Sequence, residues 1–139
     1  MKVKTIDVVC AILERDGQIL LAQRPEDADQ AGMWELAGGK VEPGETQQEA
    51  LIRELREELA IEVQPGDYVA SHQREVSRRL IHLHAWHVPH FSGTPVAHYH
   101  TQLVWCTPRQ ALTYNLAPAD VPLLEAFILS HDATPVDSY

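Results

Sequence analysis

The sequence predicts an α+β fold, a mixed β-sheet sandwiched between α-helices, and three observations carry that expectation. Runs rich in β-branched residues recur along the chain, separated by Gly, Pro and Asp signals. One strong helical pattern lies near the middle and a second apolar helical pattern lies near the end. Strands with one central and one terminal helix cover both faces of a sheet by placing it between helical layers.

In order, residues 3–14 read as a strand, Asp16-Gly17 as a tight turn and residues 18–24 as the returning strand. Residues 25–34 are polar and rich in Ala and Asp, which predicts a loop; residues 36–41 form a short apolar and glycine stretch. Glu42-Pro43-Gly44-Glu45 is a turn sequence. Thr46 followed by Glu49 is a capping-box pattern, and Leu51, Ile52, Leu55 and Leu59 continue it at helical spacing. Pro65-Gly66 is expected to end this element. Residues 68–77 and 79–88 read as strands, 91–100 as a loop, 101–107 as a strand and 108–114 as one or two helical turns. Residues 118–129 read as the closing helix, with Leu123, Leu124, Phe127 and Ile128 on its inner face.

The 139 residues suffice for one domain with a single core, and residues 1–139 are expected to form it. No run of eighteen apolar residues exists, so no membrane span is expected, and the first five residues lack the features of a secretory leader. A cytoplasmic location follows as an expectation. Cys10 and Cys106 sit in apolar stretches and read as reduced, buried thiols. The formal net charge of −9 argues against a nonspecific nucleic-acid surface. It leaves room for a polyanion arriving as a metal complex, because a bound divalent cation inverts the local charge.

Glu54, Glu57 and Glu58 stand at i, i+3 and i+4, on one face of the central helix. Carboxylates this close repel one another, and a bound Mg²⁺ removes the conflict. Taken alone, the three glutamates read more simply as a solvated helix face, which an Arg53–Glu57 pair would fit. Their neighbours change the balance. Ala37-Gly38-Gly39 lets backbone approach closely, and Glu45 and Arg53 supply an orienting ion pair beside the carboxylates.

The run Gly39-Lys-Val-Glu-Pro-Gly-Glu45, seven further residues, then Arg53-Glu-Leu-Arg-Glu-Glu58-Leu-Ala60-Ile61 resembles the Nudix box. Ala60 stands where the family usually has glycine, and alanine tolerates a left-handed helix end less well. Segments at 21–25, 31–40, 68–75 and 116–122 extend the resemblance to MutT-like pyrophosphohydrolases of this family over nearly the whole chain. The resemblance implies a Nudix fold and hydrolysis of a nucleoside triphosphate to the monophosphate and pyrophosphate, with Mg²⁺ or Mn²⁺ required. The substrates it implies are (d)CTP and 5-substituted or oxidised (d)NTPs. The competing readings are sanitation of 8-oxo-dGTP or 2-hydroxy-dATP, hydrolysis of a different linkage such as ADP-ribose, and a nucleotide-binding module without turnover. Monomer and homodimer both remain open.

Carried over from the family, Glu57 and Glu58 bind metal, Glu54 is a metal ligand or general base, and the carbonyl of Gly38 is a further ligand. Gly39, Glu45 and Arg53 support the box. Arg24 falls where relatives contact phosphate, with a surface arginine as the competing reading. Arg79 falls where a side chain covers the base, with a salt bridge as its competitor. Asp120 falls at a base-reading position, where an aspartate accepts from the amino group of cytosine; a favourable charge at a helix start is the alternative. A later metal ligand used by related enzymes falls near Tyr99 and His100, neither of which is acidic. Trp34 and Tyr68 are candidates for stacking on a base or for core packing. His82 and His84 share a strand face and His87 points the other way; with no cysteine pair and no His-Glu-x-x-His helix, ordinary polar positions are expected, one or two of them in the substrate pocket.

Overall fold

The computed structural model describes residues 4–131. Val3, the first residue of the expected opening strand, lies outside the described residues.

Strand β1 (Lys4–Arg15) is the spine of the molecule. It turns at Asp16-Gly17, both with positive φ, into the antiparallel β2 (Gln18–Gln23). On its other edge β1 runs parallel to β7 (Arg79–Val88) for ten residues, from Lys4↔Arg79 to Leu13↔Val88. The antiparallel β6 (Tyr68–Val76) lies beyond β7. The short β3 (Trp34–Glu35) and β9 (Leu103–Cys106) pair with β2, and β4 (Gly38–Lys40) pairs with β1 through Val9↔Gly39. The result is a seven-stranded mixed sheet, as the patterning predicts.

Alternation along β1 divides two apolar layers. Val9, Ala11 and Leu13 face helix α1 (Gln47–Leu59) and pack with Ala50, Leu51, Leu55 and Leu59. Cys10 and Ile12 face the opposite side, where α3 (Asp120–His131) contributes Leu123, Leu124 and Phe127. A short helix α2 (Pro108–Ala111) follows β9 with its own Thr107–Gln110 capping box. Both cysteines are free and buried. Among the described residues no helix is long and apolar enough to cross a membrane.

Several boundaries differ from the expectation. Helix α1 stops at Leu59, because Ala60 takes a left-handed conformation (φ 60°, ψ 36°) and its N–H closes onto Arg56 O. A strand β5 (Glu62–Gln64) therefore fits before Pro65-Gly66 and pairs with β8 (His90–Ser92), inside a region read partly as loop. The closing helix begins at Asp120 and extends to His131, two residues later at each end than its pattern suggested.

Candidate active site

The site begins with the loop before α1. Gly44 turns the chain at φ +83°, and Glu45 folds back to accept from Glu42 N–H at 2.9 Å. Thr46 then caps the helix: its hydroxyl accepts from Glu49 N–H, and the Glu49 carboxylate accepts from Thr46 N–H. Arg53, two helical turns on, reaches back to this loop. Its Nε and Nη2 donate to the two Glu45 carboxylate oxygens at 2.7 and 2.9 Å, Nη2 also to Lys40 O at 3.0 Å, and Nη1 to Glu54 at 3.1 Å. One guanidinium thus ties loop, strand β4 and helix together. The Arg53 hydrogen bonds, aided by the Glu42 backbone, hold the Glu45 carboxyl down at about 2.

The three glutamates differ in environment. Glu57 is the most exposed, with its side chain 59% accessible and 3.5 Å from Arg53. Glu54 is partly buried against Gly39: a Cβ at that glycine would collide with the Glu54 carboxylate. Burial raises the Glu54 pKa while Arg53 opposes the rise. Glu58 is the most perturbed. Burial, with the charges of Glu54 and Glu35 adding, pushes it up to about 8, against a hydrogen bond from the Gly38 backbone. Its Oε1 is buried and has no hydrogen-bond partner among the described residues. A buried carboxylate oxygen without a donor, beside two further carboxylates, suits a hard divalent cation that prefers oxygen ligands. Gly38 meets the β1 backbone so closely that a Cβ there would strike Val9 O, which explains two consecutive glycines at this point.

Glu58, Gly38 and Gly39 line a cavity of about 710 Å³, a size suited to a small-molecule ligand. Asp120 lines the same cavity. Its side chain is buried at the start of α3, and Oδ2 accepts from Leu36 N–H at 3.0 Å. Burial raises it to about 7 and Glu35 adds to the rise, while the Leu36 hydrogen bond and Arg24 pull the other way. Asp120 thus sits at a helix start and also lines the cavity. Arg24 and Arg79 also line this cavity. Arg24 is committed to protein partners: Glu35 at 2.9 Å through Nη1, and Asp29 at 2.7 Å through both Nε and Nη2. Arg79 is exposed and makes no salt bridge to any described residue, so the competing ion-pair reading finds no partner.

One expectation is overturned, that of histidines in the pocket, and two open readings are narrowed. Trp34 packs edge-on against Tyr114 at 5.3 Å within the core, and Tyr68 lies against His84 and Trp86; neither lines the cavity. No histidine lines it either. His100 turns inward, 5% exposed, to Glu35 at 2.8 Å, while Tyr99 faces the cavity. The residue missed by sequence reasoning is Glu35. It receives Arg24 and His100 on its two carboxylate oxygens, and its charge raises both Glu58 and Asp120. Its only sequence signal is its place beside Leu36 and the glycines. Arg74, from the β6 edge, is a second cavity residue without such a signal.

A carboxylate helix is locked onto a glycine strand and opens on a cavity with basic side chains and one buried acid, an arrangement suited to a cation and a polyanion together. The chain belongs to the NUDIX family, whose domain model matches residues 3–127. Nudix hydrolases generally use a divalent metal. A protein of Escherichia coli (strain K12) described as a CTP pyrophosphohydrolase is 69% identical over 134 residues, covering 96% of this chain and 99% of that protein. A putative 8-oxo-dGTP diphosphatase 2 of Mycobacterium tuberculosis (strain ATCC 25618 / H37Rv) is 38% identical over 120 residues, 81% of each chain. Among solved structures, the solution structure of the E. coli ORF135 protein matches with a TM-score of 0.88 at 69% identity, covering 96% of both chains.

Proposed function

We propose that this chain is a Mg²⁺-dependent pyrophosphohydrolase that cleaves (d)CTP and 5-substituted or oxidised (d)NTPs to the nucleoside monophosphate and pyrophosphate. The observation that carries the proposal is the buried, unpartnered oxygen of Glu58, which shares one cavity with the buried carboxyl of Asp120. The first fits a cation-bound phosphate chain and the second a base. The similarity to the E. coli CTP pyrophosphohydrolase supports the choice of cytosine.

In this reading Glu54, Glu57, Glu58 and the Gly38 carbonyl would hold Mg²⁺, with Mn²⁺ as a substitute, and the cation would screen phosphate charge and lower the pKa of water there. Arg53 and Glu45 fix the helix so that the carboxylates converge. Glu54, held by Arg53 against Gly39, is placed to take the proton from water as the α–β anhydride breaks. Arg79 covers the base, and Arg24, oriented by Glu35 and Asp29, faces the phosphates. Ionised Asp120 accepts from the exocyclic amino group of cytosine. The protein works as a monomer or homodimer in the cytoplasm on free nucleotides, without nucleic acid or membrane.

One observation favours a second activity. With Asp120 raised to about 7, a fraction is protonated at neutral pH and can donate to an oxidised purine, so 8-oxo-dGTP and 2-hydroxy-dATP fit the same pocket. A panel of nucleoside triphosphates, with and without Mg²⁺ and scored by pyrophosphate release, tests the proposal. Cytosine nucleotides should be among the best substrates and depend wholly on the cation; inactivity on all of them would overturn the reading.

A further inference from the structure

The parallel pairing of β1 with β7 sets Asp7 directly beside His82. His84, two residues on, shares that face of the sheet. The side chains one step along, Val8 and Leu83, point the other way and line the nucleotide cavity, which none of these three residues touches. Asp7, His82 and His84 therefore form a separate cluster on the α1 side of the sheet. His84 Nε2 lies 3.0 Å from Asp7 Oδ1, His82 Nδ1 lies 3.8 Å from the same oxygen, and one ligand atom from each residue falls within 4.8 Å of the others. The two imidazole centroids are 4.1 Å apart.

We propose that Asp7, His82 and His84 form a second metal site, selective for a borderline transition cation, with Zn²⁺ as its expected occupant. Ligand atoms around a tetrahedral zinc sit about 3.3 Å apart, so small side-chain rotations bring the trio into place. Two imidazoles and one carboxylate are a donor set that zinc accepts and Mg²⁺ does not favour. The outer partner of a metal-bound histidine is also present: Tyr68 Oη lies 2.8 Å from His84 Nδ1. With the metal on Nε2, Nδ1–H donates to this hydroxyl, which fixes the ring and its tautomer. Exposure is graded as such a site needs, with the His84 side chain 8% accessible, His82 27% and Asp7 50%. The rear ligand is anchored and the front stays open to water as a fourth ligand. A cation here would fasten β1 to β7 outside the cavity.

The chain has no cysteine pair and no His-Glu-x-x-His helix to signal zinc from sequence; here the third ligand comes from a residue 77 positions from His84.

The test is Zn²⁺ titration of the full chain in millimolar Mg²⁺, followed by calorimetry and by NMR of the histidine ring nitrogens. The expected result is one Zn²⁺ per chain, with shifts at the His82 and His84 ring nitrogens and His84 moving to its Nδ1–H form. H82A and D7N, both at accessible positions, should each weaken this binding by more than about tenfold and leave Mg²⁺-dependent hydrolysis unchanged. Unmoved ring nitrogens on Zn²⁺ addition, or unaltered stoichiometry and affinity in both variants, would overturn the site. Neither result bears on the hydrolase reading, which rests on the Glu58–Asp120 cavity that none of these three residues lines and is scored by activity alone.

Discussion

Arg53 holds both carboxylate oxygens of Glu45, at 2.7 and 2.9 Å, across eight residues of chain. A lysine is a point donor and cannot reproduce that fork or the simultaneous bonds to Lys40 O and Glu54. R53K should lower kcat by about 10–100-fold, the range found when partners that orient metal ligands are lost, with a smaller change in KM. Circular dichroism should show an intact helix, since the Thr46 capping box and leucine face do not involve Arg53. Steady-state kinetics at saturating Mg²⁺ measure the split.

Gly39 leaves space that the Glu54 carboxylate occupies. G39A should displace that carboxylate and cost about 1–3 kcal/mol of stability, as forced overpacking does. The expected signature is weaker Mg²⁺ activation in a protein that still folds, read by thermal melting together with a Mg²⁺ titration of activity.

Glu58 makes stability and cation affinity depend on pH. Its folded pKa of about 8 lies above the ordinary value of 4.5, so the unfolded chain releases this proton first as pH rises. Without metal, the protein should lose stability between about pH 4.5 and 8 from this group, and the deficit should be complete above 8. Mg²⁺ needs the carboxylate, so its affinity should climb through the same window. E58Q should flatten the stability profile and make the metal-free protein more stable than the parent at pH 8 by up to roughly 4 kcal/mol. Chelator-treated melts across pH give the answer.

Asp120 should impose an inflection near pH 7 on kcat/KM for CTP at saturating Mg²⁺, with activity rising as the carboxylate forms. D120N retains an oxygen for Leu36 N–H but presents either an amide donor or no charge to the base. The inflection should vanish, and preference for cytosine over other bases should fall by about 10–100-fold. A pH–rate profile for two nucleotides decides this.

Ala60 ends α1 in a left-handed conformation at φ 60°. A60G should stabilise the fold by about 0.5–1 kcal/mol, because glycine accepts that conformation freely. Thermal melting should show a small upward shift with unchanged kinetics.

The parts of this molecule that announce themselves in sequence are those fixed locally. Thr46, Glu49 and the spaced leucines place α1 because a helix start and its buried face are set within a few turns. Glu54, Glu57 and Glu58 inherit their grouping from the same helix. The β5–β8 pair was hidden because strands of three residues carry no readable period, and its partners lie far apart in the chain. The Arg24–Glu35–His100 chain was hidden for a related reason: only the closed fold brings a loop histidine 65 positions away onto Glu35. Trp34 and Tyr68 show the limit of reading aromatics, since edge-on packing against Tyr114 or Trp86 leaves the same sequence trace as a stacking platform.

The bond from Leu36 N–H to Asp120 spans 84 positions, whereas every carboxylate of the box lies within a short continuous stretch. Contacts of high sequence separation form late, because loop closure must precede them. The site should therefore mature in sequence during refolding, the box carboxylates first and the Asp120 contact only when α3 docks. A refolding intermediate would bind Mg²⁺ and triphosphate without telling one nucleobase from another, and stopped-flow binding with two nucleotides would show affinity appearing before selectivity.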